Sequence, residues 1–107
     1  MATGLLASAG IAVADTDQLI YQVPSGYNAV VTAHIQNLHI TNSATVRIAV
    51  TTGAAPAVYS WIEANVLLDA AQGLERSGIV LTAGQRLYCQ GSTLDVGVNI
   101  WGIEEGV

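Results

Sequence analysis

The stretch "STLDVGVNIWG", residues 92–102, decides the fold. Leu94, Val96, Val98 and Ile100 fall on one side of an extended chain, and Asp95, Gly97, Asn99 and Trp101 fall on the other. A period of two is the mark of a strand with one buried face. It predicts that the four aliphatics enter a core, while Trp101 and then Ile103 project outward. The competing reading has Trp101 covering a sheet edge or lying under the N-terminal segment, and a slip of one residue separates the two.

The same alternation recurs along the chain. In "ATVRIAV" (44–50), Val46, Ile48 and Val50 oppose Thr45, Arg47 and Ala49. In "VVTAHIQ" (30–36), Val31, Ala33 and Ile35 oppose Val30, Thr32, His34 and Gln36. Turn residues separate the runs: Pro24 and Gly26 in "VPSGYN", "TNSA" at 41–44, Gly53 and Pro56 in "TTGAAP", then "LTAGQ" at 81–85 and "QGST" at 90–93. Strands are expected near 5–12, 18–23, 28–38, 44–51, 58–67, 73–80, 85–90 and 94–103. Within residues 60–73, Val66, Leu67, Asp69, Ala70 and Ala71 also admit a short helix with Gly73 just past its end, with strand favoured for Trp61–Leu68. The expected fold is all-β: a single-domain antiparallel β-sandwich of about eight strands, jelly-roll-like or Greek-key. One domain spans 1–107, and 1–16 forms either its first strand or an arm over the sheet or a neighbouring subunit.

Composition points to company. The 107 residues include 51% hydrophobic and only 10% charged side chains, against about 25% charged in an ordinary soluble domain. Such a surface suits a protein whose skin is covered by neighbours; a small monomer kept soluble by neutral polar groups is the competing reading. The net charge of −5 argues against nucleic-acid binding, which needs basic stripes, and against binding to an anionic membrane surface. No run of about 20 apolar residues is present to span a bilayer. The first 13 residues lack a cationic start, since the first arginine is Arg47, so no secretory signal is expected. A single cysteine, Cys89, excludes an internal disulfide and is expected to be a buried thiol.

Three arginines are the only cations besides the histidines, and two of them, Arg76 and Arg86, flank "SGIVLTAGQ". If Leu74–Val80 and Gln85–Gln90 pair as a hairpin about Leu81, the two guanidinium groups face each other on one face. They then require an acid between them, with Glu63 and Asp95 as candidates within the chain and a neighbour's carboxylate as the alternative. Two plainly solvated arginines are the competing reading. By alternation Leu87 and Cys89 face inward and Arg86 and Tyr88 outward. Arg76, Arg86, Tyr88, Trp101 and Ile103 thus form the candidate interface, made of residue types that anchor contacts between proteins.

Nothing suggests catalysis or a cofactor. His34 and His39, five apart, face opposite sides of a regular strand, and no metal-ligand spacing involves Cys89. No serine sits in a nucleophile elbow. Glu104 and Glu105 are sent apart by alternation, and Asp15 and Asp17 read as turn residues. No catalytic or metal residue, no cofactor and no enzyme activity are expected.

"YQVPSGYNAVVTAHIQNLHITNSATVRIAV" (21–50), "LERSGIVLTAGQRLY" (74–88) and "VGVNIWGIEE" (96–105) together resemble small structural proteins of tailed bacteriophages, cyanophages among them. The likeness covers about residues 20–105. Leu74, Glu75, Arg76 and Gly78 match its first signature, and Trp101, Gly102, Glu104 and Glu105 its second. It implies a β-sandwich virion component assembled in bacterial cytoplasm: a head decoration (cement) protein, often a homotrimer on the major capsid protein. The alternative it leaves open is a tail, baseplate or fibre component, possessing or lacking receptor or glycan binding.

Overall fold

Eight strands alternate between two sheets in this computed structural model, which describes residues 3–53, 55–57 and 60–107. They are β1 (Thr3–Gly10), β2 (Gln18–Gln22), β3 (Tyr27–Asn37), β4 (Ala44–Thr51), β5 (Trp61–Leu68), β6 (Gly73–Leu81), β7 (Arg86–Gly91) and β8 (Val96–Gly106). Sheet A has the order β1-β8-β3-β6 and sheet B the order β2-β7-β4-β5. All pairings are antiparallel. This is a jelly roll. The Cα radius of gyration is 13.4 Å, close to the ~13 Å expected for a single domain of this length.

The expected strands lie within a few residues of those observed. Trp61–Leu68 is a strand, not a helix; the earlier start expected for it includes Val58 and Tyr59, which lie outside the described residues. Thr3–Gly10 is the first strand of sheet A. One detail of β8 differs. Leu94 precedes the strand and is exposed, because the 92–95 turn breaks the alternation before Val96 begins it.

Only β4 and β5 are consecutive strands within one sheet; every other connection crosses the sandwich. The 81–85 segment is therefore a corner and not a hairpin tip. Gly84 takes φ 83° there, a conformation natural to glycine, and Gln85 N–H donates to Thr82 O at 3.0 Å.

The core lies between the sheets. Val31, Ile35, Val98 and Ile100 of sheet A meet Ile48 and Leu87 of sheet B, all essentially inaccessible. Cys89 is buried among them, and burial pushes its thiol up to about 12, leaving almost no reactive thiolate near neutrality.

Several polar side-chain ties join the sheets. At one, the Tyr21 hydroxyl donates to the Glu104 carboxylate. Burial first, then that bond and the carboxylate's charge, raise the Tyr21 pKa above its ordinary value. In the unfolded chain a tyrosine ionises near pH ~10, while folded Tyr21 keeps its proton. Its contribution is thus complete below that pH and lost as pH rises above it. Tyr21→Phe is expected to cost about 1–3 kcal/mol at pH 8 and to lose less further stability than the wild type between pH 8 and 11, by urea denaturation. An equal alkaline loss in both proteins would contradict this assignment.

Candidate functional site

The outer face of sheet A is graded along its strands. The first row across it is Thr3, Ile103, Val30 and Val80, contributed by β1, β8, β3 and β6 in turn. The second begins Leu5, Trp101, Thr32. The third is polar: Ser8, Asn99, His34 and Glu75. In the fourth, Gly10, Gly97 and Gly73 carry no side chains, and Gln36 and His34 lie over Gly73 and Leu38 over Gly97.

The first two rows make an apolar band that faces solvent. Val80 is 68% exposed, Leu5 63%, Val30 48%, and Trp101 and Ile103 37% each. Large apolar side chains scattered singly are ordinary; five adjacent on one face are not. His34 stacks on Trp101, with ring centroids 6.1 Å apart and planes 26° apart, and its Nε2 lies 3.2 Å from Gln36 Oε1. The indole ring is therefore stacked against a neighbour on β3. Glu105, opposite Asn28, and Glu75, opposite His34, place acids at both ends of the band.

The five residues expected to form one patch are divided. Trp101 and Ile103 lie together on the band, with the sidedness that the alternation predicts. Arg86 and Tyr88 point out of sheet B, where they pair with Thr51 and Ala49, on the opposite side of the sandwich. Tyr88 is buried there, and the Arg86 guanidinium donates to Gly53 O at 2.8 Å. Arg76 is in neither group. It sits opposite Ala33 on the inner side of edge strand β6 and reaches across the open side of the sandwich to Glu63 of β5, Nη1 to Oε1 3.3 Å. Glu63 is one of the acids named from sequence, but it serves one arginine and not two. At this exposure the pair contributes ~0.2–1 kcal/mol.

Leu5, Val30 and Val80 were not singled out by sequence. Val30 had a signal, since it alternates against Val31 and Ala33. Leu5 and Val80 had none, because they join the band only through the pairing of β1 and β6 to strands distant in the chain.

Elsewhere the described residues offer little chemistry. No group of three or more His, Cys, Asp or Glu could hold a metal ion among them. An open cleft of about 490 Å³ at the end of sheet B, lined by Val50, Thr51, Ser60, Ile62 and Gln85 among others, carries no ionisable side chain among its described lining residues. On the outer face of sheet B, Arg47 lies over the Trp61 ring at 5.3 Å and donates from Nε to Asn65 Oδ1 at 2.7 Å.

Two crystal structures of a pentameric capsid protein isolated from metagenomic phage sequences show a likeness to this chain. The chain is similar to these phage capsid proteins. Identity is 18% in one comparison and 17% in the other, each covers 94% of this chain, and each has a TM-score of 0.45. The chain spans 63% and 64% of the length of those proteins. No protein-family model matches the sequence, and no curated protein matches it.

Proposed function

We propose that this chain is a structural protein of a tailed-phage virion, a decoration or cement protein that binds and stabilises the capsid shell as a homo-oligomer. The observation that carries the reading is the apolar band of Leu5, Val30, Val80, Trp101 and Ile103 on a protein with only 10% charged residues. A free monomer gains nothing from such a face, whereas a lattice protein gains a dry contact. The resemblance of residues 20–105 to phage structural proteins supports the same reading, and the jelly roll is at home in viral capsids. Fold alone does not assign function; the band and the resemblance are what support this reading.

The mechanism is additive. One band per subunit is a small contact, but a symmetric oligomer engages several sites at once and multiplies weak affinities through effective concentration. Glu75 and Glu105 at the ends of the band suit a partner surface with a basic rim.

Quantitative mass spectrometry of purified heads stripped of tails tests the location. Copies on the order of hundreds per head are expected for a lattice component. Recovery with the tails instead would overturn the head assignment in favour of the tail or baseplate reading. Trp101→Ala tests the band. Because the indole stands outside the core, the variant is expected to unfold within ~1 kcal/mol of the wild type and to lose binding to particles. Arg86→Ala, on the opposite face, reports separately on any contact made through sheet B. Retained particle binding in Trp101→Ala would remove the band from the interface.

A further inference from the structure

Each sheet ends in two edge strands, and an unpaired edge is a template for another strand. Three of the four are obstructed. β2 is only five residues long and is broken by a bulge between Leu19 and Tyr21. β5 carries Glu63 and a kink at Asn65, φ 53°. β6 carries Glu75 and Arg76 and a kink at Gly78, φ 71°. β1, "TGLLASAG", has eight residues with no charge and no proline. It has a kink at Gly4, φ 96°, and a bulge between Leu5 and Ala7, but the run beyond them, residues 7–10, is regular.

The outward groups of β1 can be identified. Ile11 N–H donates to Val96 O at 3.0 Å, so by antiparallel alternation Ala9 and Ala7 also turn their amides to β8, and Ser8 turns its N–H and C=O to the free side. Gly10 faces the same way, but there the Gln18 side chain closes the edge. Its Nε2 donates to Gly10 O at 3.0 Å and its Oε1 accepts from Ala12 N–H at 2.9 Å. Apart from those two bonds, no described residue bonds the free side of β1. The edge is thus capped at one end and open around Ser8.

We propose that β1 pairs with β1 of a second copy of this chain, antiparallel about a two-fold axis at Ser8, joining two copies of sheet A into one eight-stranded sheet. The partner must be a strand because the exposed groups are main-chain donors and acceptors. A second copy suits the edge because an antiparallel pair is self-complementary about its axis. The uncharged edge also spares two chains of net charge −5 any direct repulsion at the seam. Leu5, beside Trp101 on the outer face, lies to one side of the axis, so the two-fold sets the two apolar bands on the same face of the joined sheet at opposite ends of the seam. The proposal rests on the self-association part of the proposed function and not on the capsid as target.

Cysteine crosslinking and proline substitution test it on the full chain. Cys89 is buried and unreactive, so Ser8→Cys introduces a single accessible thiol. In the paired state two Cα atoms at the axis are ~5.5 Å apart, within disulfide range, and diamide is expected to produce a covalent dimer on a denaturing gel. Ser8→Pro removes an amide that β8 does not use. It is expected to keep the wild-type unfolding midpoint closely and to weaken dimerisation at least ~10-fold by sedimentation equilibrium. If Ser8→Pro proves poorly folded, Ser8→Lys, which leaves the backbone intact and places like charges at the axis, is expected to give the same loss. A wild-type chain that sediments as a monomer, Ser8→Cys that stays uncrosslinked, or a dimer indifferent to both Ser8→Pro and Ser8→Lys would each overturn the proposal. Loss of dimer with particle binding intact separates this contact from the band, and loss of particle binding in Trp101→Ala with the dimer intact separates them the other way.

Discussion

Gly102→Ala is expected to prevent folding or to cost more than ~3 kcal/mol, the largest effect of any single methyl group added to this protein. A Cβ built at Gly102 lies 2.1 Å from Val30 O, 2.8 Å from Val31 Cα and 3.0 Å from Val30 C. All three are backbone atoms of β3, the strand that pairs with both β8 and β6, so relief requires moving the middle of sheet A. Ordinary overpacking costs ~1–3 kcal/mol because side chains can yield; here none of the obstructing atoms belongs to a side chain. A domain of this size has only ~5–15 kcal/mol of stability in total. Gly102 also sits between Trp101 and Ile103, so its bare backbone lets β8 press against β3 where the apolar band is built. Gly106→Ala is the control, since its added Cβ meets nothing within 4 Å. Urea denaturation of the two variants is the measurement, and a Gly102→Ala protein within ~1 kcal/mol of Gly106→Ala would show that β8 does not lie as described.

The second large effect is expected at Asn37, the one buried polar side chain of the described core. Its Nδ2 donates to Asn42 O at 2.8 Å, Asp69 O at 3.2 Å and Leu68 O at 3.3 Å, and its Oδ1 accepts from His39 N–H at 3.0 Å. One amide thus fastens the β3–β4 loop and the β5–β6 loop to the end of β3. Asn37→Ala strands these partners and is expected to cost ~2–4 kcal/mol. Asn37→Asp is the sharper test. It replaces the donor with a carboxylate oxygen facing three carbonyl oxygens, so the folded state disfavours the charged form and raises that carboxyl's pKa above its unfolded value. The variant should be less stable than Asn37→Ala at pH 7 and should recover as pH falls, opposite in sign to a carboxylate stabilised by folding. Denaturant midpoints at pH 7 and pH 4.5 provide the comparison. An aspartate variant that is more stable at the higher pH would mean that Nδ2 and Oδ1 are interchanged.

Much of the fold was legible because its signals are local. The alternation in β3, β4 and β8 and the glycines and prolines between strands required no partner to be read, and the eight strands lie close to where that pattern puts them. The sidedness of Trp101 was legible for the same reason: Val96, Val98 and Ile100 outvote one indole. Leu94 misled because it continues the alternation into a turn. Asn37 left no trace, since an asparagine ending a strand reads as turn chemistry and its partners lie as far as 32 residues away. The candidate patch was only half legible. Arg76 and Arg86 are symmetric about a glycine turn, and nothing in "LTAGQ" distinguishes a hairpin from a corner between two sheets.

The amino-acid sequence by itself determined that this chain is built of strands, which face of each is apolar, and that its surface is poor in charge, because period and composition are properties of neighbouring residues. Only the tertiary structure decided which strands share a sheet. That assignment separates Arg86 and Tyr88 from Trp101, turns Arg76 toward Glu63, assembles the band from four strands and leaves β1 as the open edge. The physical reason is that strand pairing is made by backbone groups that every residue carries alike, so the side-chain pattern states that a strand will pair but not with which partner.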